Sequence, residues 1–164
     1  MDDADAVFLR LGRFVVAFQV LENQLWQLGS LALDPGHVGH GRRTLADLTF
    51  FKLCQAVEAA VLAALDAQSR EATQFRSRLR VIMDRCDELR IARNLLIHST
   101  YVFVEAGGEL VGIMRSDVSA AADNHEVEFD QEWLDADSFE DAIERAALLA
   151  FEVSQCRIQL IHWI

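Results

Sequence analysis

The stretch Asp87-Glu88-Leu89-Arg90-Ile91-Ala92-Arg93-Asn94-Leu95-Leu96-Ile97-His98-Ser99 closes a run in which apolar side chains fall at Phe75, Leu79, Ile82, Cys86, Leu89 and Leu96. Steps of three and four put these residues on one face of a helix, and they predict a motif helix over about 69–98. Arg93 falls on the same stripe. On a straight helix turning about 100° per residue, Arg93 and His98 lie about 140° apart, whereas Asn94 and His98 share a face. Arg93 and His98 are therefore expected to meet because the helix ends or kinks near His98 and because a second copy of the helix contributes one of them.

The flanking segments read as scaffold. Phe8, Leu11, Val15, Phe18, Leu25 and Leu28 mark a long helix from about Asp5 to Leu33, with Trp26 beside the stripe. Glu22 falls on that stripe and Asn23 next to it, either as an interior polar pair serving a site or at the helix edge. Asp34-Pro35-Gly36 ends the helix, since proline has no N–H to donate and pushes the preceding residue out of helical geometry. The following stretch, His37 to Thr44, reads as a polar loop. His37 and His40 stand three apart, but no cysteine or carboxylate at ligand spacing completes a metal set. Arg42 and Arg43, among glycines before a helix, are candidate phosphate contacts.

Thr44 or Thr49 is expected to cap a helix carrying Phe50, Leu53, Val57, Val61, Leu62 and Leu65, and Ser69 offers capping chemistry after a short break. Beyond His98, β-rich runs on either side of Gly107-Gly108 predict a β-hairpin over about 100–115. Asp117 to Asn124 reads as a loop and Val127 to Phe129 as a third short strand. Asp137 or Ser138 is expected to cap a last helix over about 138–163 with the stripe Phe139, Ile143, Ala146, Leu149, Val153, Cys156, Leu160 and Trp163. The fold class expected is all-α: an antiparallel bundle of about four long helices with a small β-hairpin insertion before the last, in a single domain over 1–164.

The net charge is −11, which argues against a general nucleic-acid footprint. Its distribution is uneven. Residues 1–98 hold twelve Lys and Arg against twelve Asp and Glu, and residues 99–164 hold three against fourteen. Arg70, Arg76, Arg78, Arg80, Arg85, Arg90 and Arg93 crowd the motif helix, either as a local positive strip or as a solvated face paired with Glu71, Asp84, Asp87 and Glu88. The acidic C-terminal part is an alternative surface for a basic partner. Cys54, Cys86 and Cys156 are odd in number and lie on apolar stripes, as buried thiols in a reducing compartment do. An acidic N-terminus, and polar residues breaking the apolar run after Arg13, predict a cytoplasmic chain with no membrane contact.

Arg93-Asn94-Leu95-Leu96-Ile97-His98 resembles the R-x(4)-H signature, with a polar residue after the arginine, of the HEPN superfamily. The resemblance implies a helical domain, a homodimer, and a metal-independent endoribonuclease of the toxin or defence type that needs no cofactor. It also implies RNA as substrate and an antitoxin or other regulatory protein as a partner. Some members are inactive, so it equally admits a dimeric module binding a nucleotide, RNA or a partner protein. The related toxin group carries a tyrosine two residues after the histidine; here Thr100 holds that place and Tyr101 follows one later.

Metal-free RNA cleavage needs a base for the 2′-hydroxyl proton, an acid for the leaving 5′-oxygen and positive charge on the phosphorane-like transition state. His98 fits the acid–base role, since imidazole titrates near neutrality. Arg93 brings a planar, permanently charged fork to the scissile phosphate. Asn94 is expected to orient the ring or touch the phosphate, with Arg90, Ser99, Arg42 and Arg43 as further phosphate contacts. A helix-end histidine can also merely cap carbonyls, and a stripe arginine can pair with a buried carboxylate such as Glu22 or Asp87.

Overall fold

The apolar stripes form helices where they were expected, and the connections between them differ. The computed structural model describes residues 3–65, 69–120, 127–135 and 137–164. In order these give helices α1 (Asp3–Leu33), α2 (Val38–Leu45), α3 (Phe50–Ala64) and α4 (Arg70–His98), and strands β1 (Thr100–Ala106), β2 (Glu109–Ala120) and β3 (Val127–Leu134). A 3₁₀ turn (Asp137–Phe139) and α5 (Glu140–Ile161) follow. The chain is mostly α-helical, with one small antiparallel sheet in the order β1-β2-β3.

α4 opens where Ser69 accepts a hydrogen bond from the Ala72 amide at 3.0 Å, the side-chain cap its sequence offered. Its predicted stripe is buried from Phe75 to Leu96. On α1 the buried stripe is Ala4, Val7, Phe14, Phe18, Leu21, Leu25 and Leu28, rotated from the one predicted. Phe8 is exposed and meets Phe103 of β1, with ring centres 5.9 Å apart. α1 carries apolar residues on several faces, so its period admits neighbouring stripes; packing against both α3 and α5 selects among them.

Helix direction departs from an all-antiparallel plan. α4 runs antiparallel to α3, with Arg90 over Phe51 at one end and Arg76 on the Leu65 carbonyl at the other. It also runs antiparallel to α5, where Arg85 meets Glu152 and Phe75 meets Trp163. α1, however, runs parallel to α5, since Arg10 pairs with Glu140 and Ala17 and Val20 face Ala147 and Ala150. α1 is parallel to α3 as well, with Phe18 against Phe50 and Gly29 against Val57. The reason is α2.

The stretch read as a polar loop, His37 to Thr44, is mostly this short helix, and it carries the chain back along α1. Gly41 of α2 is buried so tightly on α1 that a Cβ there would stand 2.6 Å from the Ser30 carbonyl oxygen. Residues 46–49 complete the return, and α3 starts beside the middle of α1. Thr49 occupies its N-cap position without a side-chain cap bond.

The hairpin is larger than predicted. Gly107 and Gly108 take φ of 65° and 85°, the left-handed pair a two-residue hairpin turn requires. β2 then continues to Ala120, through residues 117–120 read as loop, because β3 pairs along it from Val127 to Leu134. The rest of that loop, through Asn124, lies outside the described residues. Ile113 and Leu134 tie the sheet to the helical core. At α5, neither Asp137 nor Ser138 occupies the cap; Asp135 accepts the Ser138 amide at 2.8 Å, while the residue at the cap position is Phe139. A 3₁₀ turn inserted before α5 moves its start.

The arginines of α4 are largely interlocks rather than a strip. Arg76 donates to the Leu65 carbonyl at 3.2 Å, Arg78 to Gln159 at 2.6 Å, and Arg85 to Glu152 at 2.6 Å. Part of the C-terminal acid excess thus faces the chain's own arginines. Cys54, Cys86 and Cys156 are buried free thiols; a hydrogen bond with Cys54 and then burial push Cys86 well above an ordinary thiol. No described helix is long and apolar enough to cross a membrane.

Candidate functional site

α4 ends at His98 because Ser99 turns extended, with φ −67° and ψ 153°, and leads into β1. Two hydroxyls close the helix end: Ser99 donates to the Leu95 carbonyl and Tyr101 to the Leu96 carbonyl. These bonds satisfy carbonyls that a helix C-terminus leaves without intrahelical partners. They also fix the backbone from which His98 projects.

Within one chain, Arg93 reaches His98. An Arg93 Nη1 lies 3.5 Å from His98 Nε2 and donates to Asn94 Oδ1 at 3.1 Å. The long guanidinium stem crosses the angular gap that two straight-helix positions leave. Bringing the pair together therefore takes no second copy. Asn94 holds the arginine fork through its Oδ1, where it was expected to orient the ring or touch a phosphate. His98 itself is exposed.

The guanidinium of Arg93 also lies over the Phe18 ring, 5.7 Å from its centre, a cation–π arrangement. One turn further along α1, Glu22 faces Arg93. Burial pushes the Glu22 carboxyl above its ordinary value, against a smaller downward pull from Arg93. Arg90 is held by Asp87 at 2.6 Å and lies 5.4 Å over the Phe51 ring.

Phe18, Glu22, Arg90, Arg93 and Asn94 border a cleft of about 550 Å³. Phe14, Phe18 and Glu22 come from α1, Thr49 and Phe50 from the start of α3, and Arg90, Arg93 and Asn94 from α4. Its size falls in the range of small-molecule sites, roughly 300–1,000 Å³. The α4 side follows from the sequence, and Glu22 lies half-buried at the edge of the buried α1 stripe. Thr49 and Phe50 do not follow from it as walls, because only the return path through α2 brings the start of α3 beside the motif. The aromatic pair Phe50-Phe51 directly after Thr49 was the available signal.

The other expected contacts lie elsewhere or have other partners. Arg42 stacks over Trp26 at 5.4 Å, and neither it nor Arg43 lines the cleft. Ser99 caps the helix with its hydroxyl proton, so phosphate would meet it as an acceptor. His37 sits by Asp34, with its ring nitrogen 3.6 Å from the carboxylate. Among the described residues no group of three or more His, Cys, Asp or Glu side chains is gathered to hold a metal ion. No protein-family model, curated protein or solved structure matches the chain.

Proposed function

We propose that the chain is a metal-independent endoribonuclease of HEPN type, its four long helices α1, α3, α4 and α5 forming one bundle that carries the Arg93–Asn94–His98 group at the end of α4. The observation that carries this reading is the approach of Arg93, which lines the cleft, to the exposed His98, in a pair that the sequence separates by five positions. In the reaction the RNA 2′-hydroxyl attacks its own phosphorus, and the bond to the 5′-oxygen breaks. The products are a 2′,3′-cyclic phosphate and a 5′-hydroxyl. Arg93, steadied by Asn94 and Phe18, holds the phosphoryl oxygens as negative charge builds. His98 moves the proton, a contribution typically worth roughly 10²–10⁴ in rate. Base and acid are both required, and a homodimer supplies a second imidazole from the partner's copy of the same helix end.

A second reading has its own support. The cleft has the size of a small-molecule site whether or not chemistry follows, and Glu22 offsets part of the Arg93 charge, which suits a non-catalytic module binding a nucleotide, RNA or a partner protein. The deciding experiment is cleavage of total RNA and tRNA by purified protein with EDTA present. Wild type is compared with Arg93→Ala and His98→Ala, each confirmed folded. Cleavage lost in both variants supports the nuclease. No cleavage by wild type, or equal cleavage by all three, rejects it in favour of the binding module.

A further inference from the structure

The cleft beside the motif has a polarity that a phosphate contact alone leaves unexplained. Its inner wall is aromatic, with the Phe18 and Phe50 rings 4.5 Å apart and Phe50 only partly buried. Its α4 rim carries two guanidiniums, Arg90 and Arg93. A half-buried carboxylate, Glu22, also lines it and faces Arg93, and Thr49 adds a hydroxyl that caps no helix amide. An aromatic wall, guanidiniums and a carboxylate acceptor lining one cleft match the parts of a nucleotide: a flat base, a phosphate, and a base edge bearing N–H groups.

From this arrangement we infer that the cleft binds a guanine nucleotide, with the base against Phe50, its Watson–Crick edge on Glu22 and its phosphate on Arg90 and Arg93. Unstacked bases are commonly recognised by an aromatic face together with hydrogen bonds along that edge. Guanine presents two adjacent donors there, N1–H and N2–H, which one carboxylate accepts together. Adenine and cytosine each present a single amino group beside an acceptor nitrogen, and an acceptor facing Glu22 is repelled. Glu22 is thus the specificity-determining residue, and the inference rests on the proposed role of Arg93 in holding phosphate, though not on catalysis.

Calorimetric titration of the purified protein with 5′-GMP, 5′-AMP and inorganic phosphate tests this directly, since 5′-mononucleotides carry no 3′-phosphodiester for the 2′-hydroxyl to attack. Wild type is expected to bind GMP at least about tenfold tighter than AMP, the scale of a hydrogen bond to a charged group. Glu22→Gln, nearly isosteric, brings the two within about twofold, and Phe50→Ala weakens both by roughly tenfold while keeping their ratio. Equal affinity for GMP and AMP in wild type, a GMP preference surviving in Glu22→Gln, or phosphate binding as tightly as either nucleotide overturns the assignment. A protein that selects GMP but cuts no RNA upholds the cleft and removes only the nuclease. One that cuts RNA while binding GMP and AMP alike upholds the nuclease and removes the cleft assignment.

Discussion

Arg93 rests on Phe18, its guanidinium carbon 5.7 Å from the ring centre, so a helix near one end of the chain supplies the platform for the motif arginine. Phe18 is buried and belongs to the core that α1 shares with its neighbours. Phe18→Ala is expected to cost about 3–5 kcal/mol of stability, as buried phenylalanine truncations do. Phe18→Leu keeps most of the volume and removes the ring face. It should fold, with a smaller loss in urea unfolding, yet cut RNA more slowly than wild type. Full RNA cleavage by a folded Phe18→Leu protein would show that the stacking does not position Arg93.

Much of the helical plan could be read from residue spacing, and the reasons for the misses are specific. On α4 and α5 the longest run of three-and-four spacing coincides with the buried face, although α5 also exposes Leu148, Phe151, Ile158 and Ile161. α1 has several apolar faces, and only its neighbours choose among them. α2 escaped because glycine and histidine are poor helix formers; what holds it is the close approach of Gly41 to Ser30, a tertiary contact no local pattern carries. The site divided along the same line. Arg93, Asn94 and His98 lie within one turn and a half of sequence and were legible, whereas Thr49 and Phe50 join them only through the chain's return path.

Tyr101 links the sheet to the helix end through its hydroxyl on the Leu96 carbonyl. Tyr101→Phe removes that donor and leaves the ring in place. The expected loss is about 0.5–1.5 kcal/mol, the net worth of one hydrogen bond. Because the bond lies two residues before His98, amide exchange should quicken over the last turn of α4 first. An unchanged exchange pattern there would mean that Ser99 alone secures the helix end.

Glu22 sets a pH dependence whose sign follows from its raised carboxyl. The folded chain holds the Glu22 proton more tightly than the unfolded chain does. Its contribution to stability is therefore fully present below the ordinary glutamate range and is lost as pH rises through the raised folded value. Glu22→Gln cannot ionise and lacks this loss. Urea unfolding from about pH 4 to about pH 7, spanning the carboxylate range, should show Glu22→Gln gaining on wild type as pH rises. The opposite trend would mean that attraction to Arg93 outweighs burial.

Gly41 tests whether the return path matters to the site. A Cβ there would fall 2.6 Å from the Ser30 carbonyl oxygen and 2.8 Å from its Cα, both backbone atoms that cannot swing aside. Alanine favours a helix over glycine by about 1 kcal/mol in isolation, so local propensity alone makes Gly41→Ala stabilising. The contact reverses that expectation: α2 must lift from α1, at a cost of roughly 1–3 kcal/mol for overpacking. Since residues 46–49 join α2 to α3, the shift should reach Thr49 and Phe50 and alter the cleft wall opposite Arg93. Urea unfolding and a nucleotide titration on the same Gly41→Ala protein check both parts. Stability raised with ligand binding unchanged would show that α2 moves independently of the cleft.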